Sequence, residues 1–268
     1  MFIKKLNELK HNHNDIYIVE TYKNDIIINE NYNALLLLNL SLNIIQKISL
    51  PNNTTIYFIY KKYDESKIIL YSPDDDQITF IDMHTMNSFV ISLPNELKNY
   101  ILSPNYYWQD NILIFATYDN IFYQFLLESL LFTTITPETI KKLYPIYFDF
   151  WNICKKYNTV KIFPDQQCFI FQENTKSIIF FDYKENKKVT TNNFTNNWHD
   201  IEYKNNTFIF VHEKKIELLI NNQKLILQPQ VDYIFLKAKF LKENTFVLLS
   251  SKPSNPQESL LETYELIK

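Results

Sequence analysis

A chain of 268 residues that is 46% apolar and 16% aromatic can bury a sizeable core without disulfide or metal staples. Its net charge of −3 offers no broad basic field to nucleic acid or anionic lipid. It contains no glycine and no arginine, which excludes phosphate-cradling loops, the nucleophile elbow of hydrolases, and bidentate guanidinium clamps on carboxylate or phosphate.

The N-terminal MFIKKLNELK lacks the apolar centre of a secretory signal. The longest aliphatic run, Ala34–Leu38, falls far short of the roughly 20 residues of a spanning helix. Cys154 and Cys168 are too few for a disulfide scaffold and are expected as free thiols in a reducing compartment. A cytoplasmic location follows. The excess of Asn, Ile, Lys, Tyr and Phe over Gly, Ala and Arg is the codon mark of a low-GC genome.

Along the chain, short apolar runs rich in Ile, Phe, Tyr and Val alternate with polar turns, a pattern of strands and not of helices. One family of runs starts at Ile26, Ile68, Ile112, Phe169, Phe208 and Phe246, in steps of 42, 44, 57, 39 and 38 residues. A second follows each of these, starting at Leu35, Ile78, Ile121, Ile178, Ile216 and Leu260, in steps of 43, 43, 57, 38 and 44. The pentapeptide ISLPN closes the first unit at Ile48–Asn52 and the second at Ile91–Asn95, and ITPE at Ile135–Glu138 closes the third. Its proline stops a strand on an outer edge, where a missing N–H is tolerated.

The long step of 57 carries an insertion between Pro137 and Asn158. PETIKKLY predicts a short helix over Pro137–Tyr144, opened by its proline. The aromatic PIYFDFWNICKKYN that follows is either a fifth strand of the fourth unit or a capping segment. With no glycine, Asn and Asp must supply positive φ at the turns, as at Asp110-Asn111 and at Asn221-Asn222, the clearest two-residue hairpin.

A period near 43 with three or four short strands per unit resembles the tryptophan–aspartate repeat and related β-propellers, over roughly residues 15–268. Period and strand pattern carry the resemblance, since the Gly-His and Trp-Asp dipeptides are absent. The expected fold is all-β, a single propeller domain over residues 1–268 with six blades, five or seven being the alternatives. Phe2–Leu6 would complete the last blade, with residues 137–158 an insertion and helix confined to 137–144.

No residue set of this chain signals catalysis, a metal or a cofactor, and none is expected. His11 and His13 supply two imidazoles where a metal needs three or four ligands. His199 and Asp200 are neighbours whose side chains alternate across a strand. Trp108, Trp151 and Trp198 recur 43 and 47 residues apart. They either pack between blades or, with Tyr106, Tyr107 and Phe150, crowd the loops entering the inner strands as anchors of a protein-binding centre. The second reading gives a partner-binding set of Tyr106, Tyr107, Trp108, Phe150, Trp151, Trp198, His199 and Asp200, with Asp74, Asp75 and Asp76 on an acidic rim. The function expected is a non-enzymatic protein-binding module, in its most specific form a bacterial immunity protein that inhibits a basic toxin such as a nuclease. Nucleic acid and membrane are not expected as partners. The alternatives are a propeller hydrolase or lactonase with a metal in its axial channel, and a structural subunit of a larger complex.

Overall fold

Continuous apolar runs such as Ile26–Ile28 and Leu35–Leu38 call for strands covered on both faces, and both runs are buried strand segments. The computed structural model describes every residue except 52–53, 99–100, 158–159, 164–166, 176, 183–184, 186, 192–193, 222 and 268. After β1 (Phe2–His11), the first sheet comprises β2 (Val19–Tyr22), β3 (Asp25–Glu30), β4 (Ala34–Leu38) and β5 (Ile44–Ser49). The second comprises β6 (Phe58–Lys61), β7 (Lys67–Ser72), β8 (Gln77–Asp82) and β9 (Asn87–Ser92), followed by a single helical turn, α1 (Asn95–Lys98). The third comprises β10 (Leu102–Gln109), β11 (Ile112–Thr117), β12 (Phe122–Leu126) and β13 (Leu131–Ile135), and two helices follow it, α2 (Pro137–Leu143) and α3 (Pro145–Lys156). The fourth comprises β14 (Val160–Phe163), β15 (Cys168–Asn174), β16 (Ser177–Asp182) and β17 (Lys187–Thr191). The fifth comprises β18 (Asp200–Lys204), β19 (Thr207–His212), β20 (Lys215–Ile220) and β21 (Gln223–Leu227), and the sixth β22 (Ile234–Phe240), β23 (Thr245–Lys252) and β24 (Asn255–Ile267).

Every sheet is an antiparallel meander in chain order, and the sixth takes β1 as its fourth strand. β1 pairs with β24 from Phe2↔Ile267 to His11↔Ser259, with one register shift between Lys5 and Asn7. Six four-stranded blades, the last completed by the N-terminal strand, make this an all-β, six-bladed propeller. Contacts divide the chain into two compact units, Met1–Asn53 with Asn193–Lys268, and Thr54–Asn192. The first contains sheets one, five and six, and the second contains sheets two, three and four.

Burial falls from the inner strands to the outermost. The second and third strands are almost wholly buried, whereas the fourth exposes Ile44, Ile45, Phe89, Val90, Leu131 and Ile226. In the second unit, Tyr60, Tyr71 and Phe80 of sheet two pack on Tyr106, Trp108, Phe115 and Phe125 of sheet three. In the first unit, Val211 and Leu218 of sheet five meet Phe235 and Phe246 of sheet six. Sheet six in turn meets sheet one through Val247, Leu249, Ile26 and Leu36.

The ISLPN repeat has a structural meaning. The Leu50 N–H donates to the Asn33 carbonyl at 2.7 Å, and the Leu93 N–H donates to the Asp76 carbonyl at 2.8 Å. Each leucine is buried and clamps the end of its fourth strand to the turn before the third. After Ile135 the same place becomes a helix start, where Thr136 Oγ1 accepts from the Thr139 N–H at 3.2 Å and Pro137 opens α2.

Helix is not confined to 137–144. PIYFDFWNICKK forms α3, which replaces the fifth-strand alternative. Pro145 presets the first-turn φ, and Tyr147, Phe150 and Trp151, at spacings of three and four, gather on one stripe. That stripe packs with Ile140 of α2, Phe122 of sheet three and Phe169 of sheet four.

Among the described residues, fifteen adopt positive φ, and nine of them are Asn or Asp, including Asp110 and Asn221. Asn222, the second residue of the expected hairpin, lies outside the described residues. The other six are Lys23, Leu42, Glu65, Met86, Leu130 and Gln167, which carry the Cβ crowding that a glycine would avoid.

Candidate functional site

In an antiparallel meander, the strand order puts the connections into each first strand beside the turns between second and third strands. Turns between first and second strands lie at the opposite end. Asp74–Asp76, in the turn between β7 and β8, and helix α3 with Phe150 and Trp151 belong to the former end of the second unit. Tyr106, Tyr107 and Trp108 lie within β10 and run toward its far end, roughly 20 Å away along the strand. The structure therefore does not gather these residues on one face. Trp198, His199 and Asp200 belong to the first unit, at the start of β18.

The aromatic residues divide by burial as well. Phe150 and Trp151 are 2% and 6% exposed, and Trp151 meets Phe122 edge to face at 5.4 Å. They are core residues, a correction to their expected role as surface anchors. Tyr106 is a tie between blades, since its hydroxyl donates to the Lys61 carbonyl and accepts from the Lys61 N–H, each at 2.9 Å. Trp108 is buried in the same cluster, and Tyr107 is half-buried on the other face of β10. Trp198 is half-buried against Phe210, and the exposed His199 places Nε2 3.0 Å from the Leu236 carbonyl. Asp200 pairs with Val211 in the ladder.

A different group of apolar side chains stands in solvent at the acidic end of the second unit. Tyr57, Ile101 and Tyr118 are 47%, 51% and 61% exposed. Hydrogen bonds link their backbones through buried Tyr71. The Tyr57 N–H donates to the Tyr71 carbonyl at 2.9 Å, the Leu102 N–H to the Tyr71 hydroxyl at 3.4 Å, and the Tyr118 N–H to the Ile101 carbonyl at 3.1 Å. The Tyr57 hydroxyl donates to Asp74 at 3.2 Å, and that bond raises the Tyr57 pKa. Asp74, Asp75, Asp119 and Glu173 are exposed on successive turns of this end, while Lys98 lies 3.6 Å from Asp76. Lysines closing α2 and α3 rest over rings, Lys141 on Phe148 and Lys155 on Trp151. Sequence reasoning found the acids but missed these apolar residues, because Tyr57, Ile101 and Tyr118 sit just outside the strands instead of in a periodic run.

The first unit holds a charged cluster that sequence reasoning also missed. Glu20 pairs with Ile27, Glu202 with Ile209, and Lys239 with Val247, each partner being the third residue of its second strand. The three therefore occupy one repeat position on the first strands of sheets one, five and six. Lys239 Nζ reaches Glu20 at 2.9 Å and Glu202 at 3.2 Å. Burial lowers the Lys239 pKa, but Glu20, Glu202 and Asp200 outweigh it and hold the group well above the usual lysine value. An ammonium thus stands between the carboxylates, as a bound cation would. Among the described residues, no three His, Cys, Asp or Glu side chains come together as a metal-ligand set.

Burial drives the Cys154 thiol up to about 12, which leaves it protonated and a poor nucleophile at neutral pH. Among the described residues, no helix is long and apolar enough to cross a membrane. The six-bladed propeller suits a protein-binding module, because rigid sheets present short loops at their ends. In comparisons with known proteins, no family model matches the chain and no curated protein matches its sequence.

Proposed function

We propose that the chain is a non-enzymatic, cytoplasmic protein-binding module that takes a basic protein partner on the acidic end of its second unit. One observation carries this reading. Tyr57, Ile101 and Tyr118 are exposed at the end of the second unit that carries Asp74, Asp75 and Asp119, on a frame of hydrogen bonds relayed through Tyr71. Exposed aromatic and aliphatic groups on a rigid frame suit the desolvated centre of an interface, and the surrounding acids suit a polar rim that steers a basic protein. The most specific form of the proposal is an inhibitor of the immunity-protein kind, which blocks a basic toxin such as a nuclease.

Co-expression with the product of the neighbouring gene tests it. Support is a stoichiometric complex that survives purification and is lost when Tyr118 becomes Ala. A partner that binds Tyr118→Ala as tightly as the parent, or fails to bind the parent, contradicts it. One tightly held Ca²⁺ or Zn²⁺ per chain by elemental analysis would favour a metal-dependent hydrolase instead.

A further inference from the structure

At the other end of the second unit, a groove of about 190 Å³ opens around the turn between β10 and β11. Its walls come from three successive blades, with Tyr63 from the β6–β7 turn, Tyr107, Trp108, Gln109 and Asp110 from sheet three, and Gln167 from the β14–β15 turn. Asp110 and Gln167 are held at positive φ, with values of 49° and 52°. This groove and the proposed partner surface lie at opposite ends of the strands, so each stands without the other.

The size of the groove narrows the ligand. An apolar cavity of about 150 Å³ admits benzene, so this one suits a single substituted six-membered ring. The charge narrows it further. Among the described lining residues, Asp110 is the one ionised group and no lysine compensates an anion. Phosphates and carboxylates would meet repulsion.

The hydrogen-bonding groups separate the remaining classes. Asp110 only accepts, while the Gln109 and Gln167 amides each donate and accept. An organic ammonium brings donors alone and would offer nothing to the donors of the two amides. A ring bearing hydroxyl groups brings both donors and acceptors, and its C–H face lies well on the exposed ring of Tyr63. We infer that the groove is a binding site for one neutral, polyhydroxylated six-membered ring, a monosaccharide unit.

Saturation-transfer NMR on the full chain tests this with glucose, galactose, mannose and N-acetylglucosamine at millimolar concentration. At least one of these sugars is expected to bind, with its ring C–H signals receiving the transfer. Tyr63→Ala removes an exposed wall, and Asp110→Asn removes a charged acceptor while tolerating the turn. Each is expected to weaken binding at least tenfold without changing the circular dichroism. No transfer to any of the four sugars overturns the inference. So does binding unchanged in both Tyr63→Ala and Asp110→Asn, or binding of tetramethylammonium in preference to the sugars.

Discussion

Lys239 Nζ stands 2.9 Å from Glu20 Oε1, joining the first strand of the sixth blade to the first strand of the first. Glu202 completes the cluster from the fifth blade at 3.2 Å. Lys239→Met would leave two carboxylates facing each other without their cation, at an expected loss of about 3–5 kcal/mol in urea denaturation. Replacing all three by apolar residues of similar size should recover most of that loss. Because the folded pKa of Lys239 is raised, its contribution is fully present below the unfolded lysine value of about 10.4 and is lost as pH rises through the higher folded value. Lys239→Met should remove that alkaline limb. An unchanged alkaline limb in this variant would show that the cluster does not stabilise the first unit.

Glu217 governs the opposite limb. Burial alone would raise its pKa, but hydrogen bonds from Thr195 and Lys224, joined by Lys215, bring it from 4.5 down to about 2. Thr195 Oγ1 donates to Oε2 at 2.6 Å, and Lys224 Nζ lies 2.9 Å from Oε1. A depressed carboxylate stabilises the fold above its unfolded pKa and loses that effect as pH falls through the folded one. Glu217→Gln should therefore lower stability at neutral pH and flatten the acid unfolding curve between about pH 4.5 and pH 2. The midpoint of urea unfolding, taken across that range, measures it.

Leu130 occupies the turn between β12 and β13 at φ 55°, and it is 40% exposed. Its Cβ crowds a left-handed conformation that glycine would adopt freely. Leu130→Gly is expected to stabilise the chain by about 0.5–1 kcal/mol, the relief of Cβ crowding outweighing the extra freedom of the unfolded chain. A lower denaturation midpoint would count against this account of the turns.

Trp151→Ala empties part of the aromatic core between the third and fourth blades. It should cost about 3–5 kcal/mol of stability and leave the affinity of a bound partner unaltered under folding conditions. A loss of affinity with unchanged stability would return Trp151 to the binding surface.

The blade repeat was legible because its second and third strands are covered on both faces. Ile26, Ile68, Ile112, Phe169, Phe208 and Phe246 therefore begin uninterrupted apolar runs at a common period. Pro51 and Pro94 marked strand ends for a similar local reason. Helix α3 was obscured by its own composition, since Tyr147, Phe150 and Trp151 fit a strand as readily as a helical stripe until tertiary packing selects one. The acids Asp74 and Asp75 were legible as a turn cluster, whereas the exposure of Tyr57, Ile101 and Tyr118 depends on where neighbouring strands end. Trp151 and Trp108 show the converse, because aromatic type alone does not separate an anchor from a core residue. The Glu20, Glu202 and Lys239 cluster needs the strand register, and only the ladder pairs reveal that the three share one repeat position.

The central claim is that the acidic end of the second unit, with Tyr57, Ile101 and Tyr118 at its centre, is where this chain binds protein. Its most direct test is the association and dissociation kinetics of the neighbouring gene's product with three versions of the chain, followed over a range of salt concentrations. The versions are the parent, the triple substitution Asp74→Asn, Asp75→Asn, Asp119→Asn, and the single substitution Tyr118→Ala. The account predicts that the triple variant associates more slowly and with a flatter salt dependence. Tyr118→Ala should dissociate at least tenfold faster, a loss of about 1.4 kcal/mol or more. Kinetics identical to the parent in both variants, each folded as the parent is, would contradict the assignment of this surface.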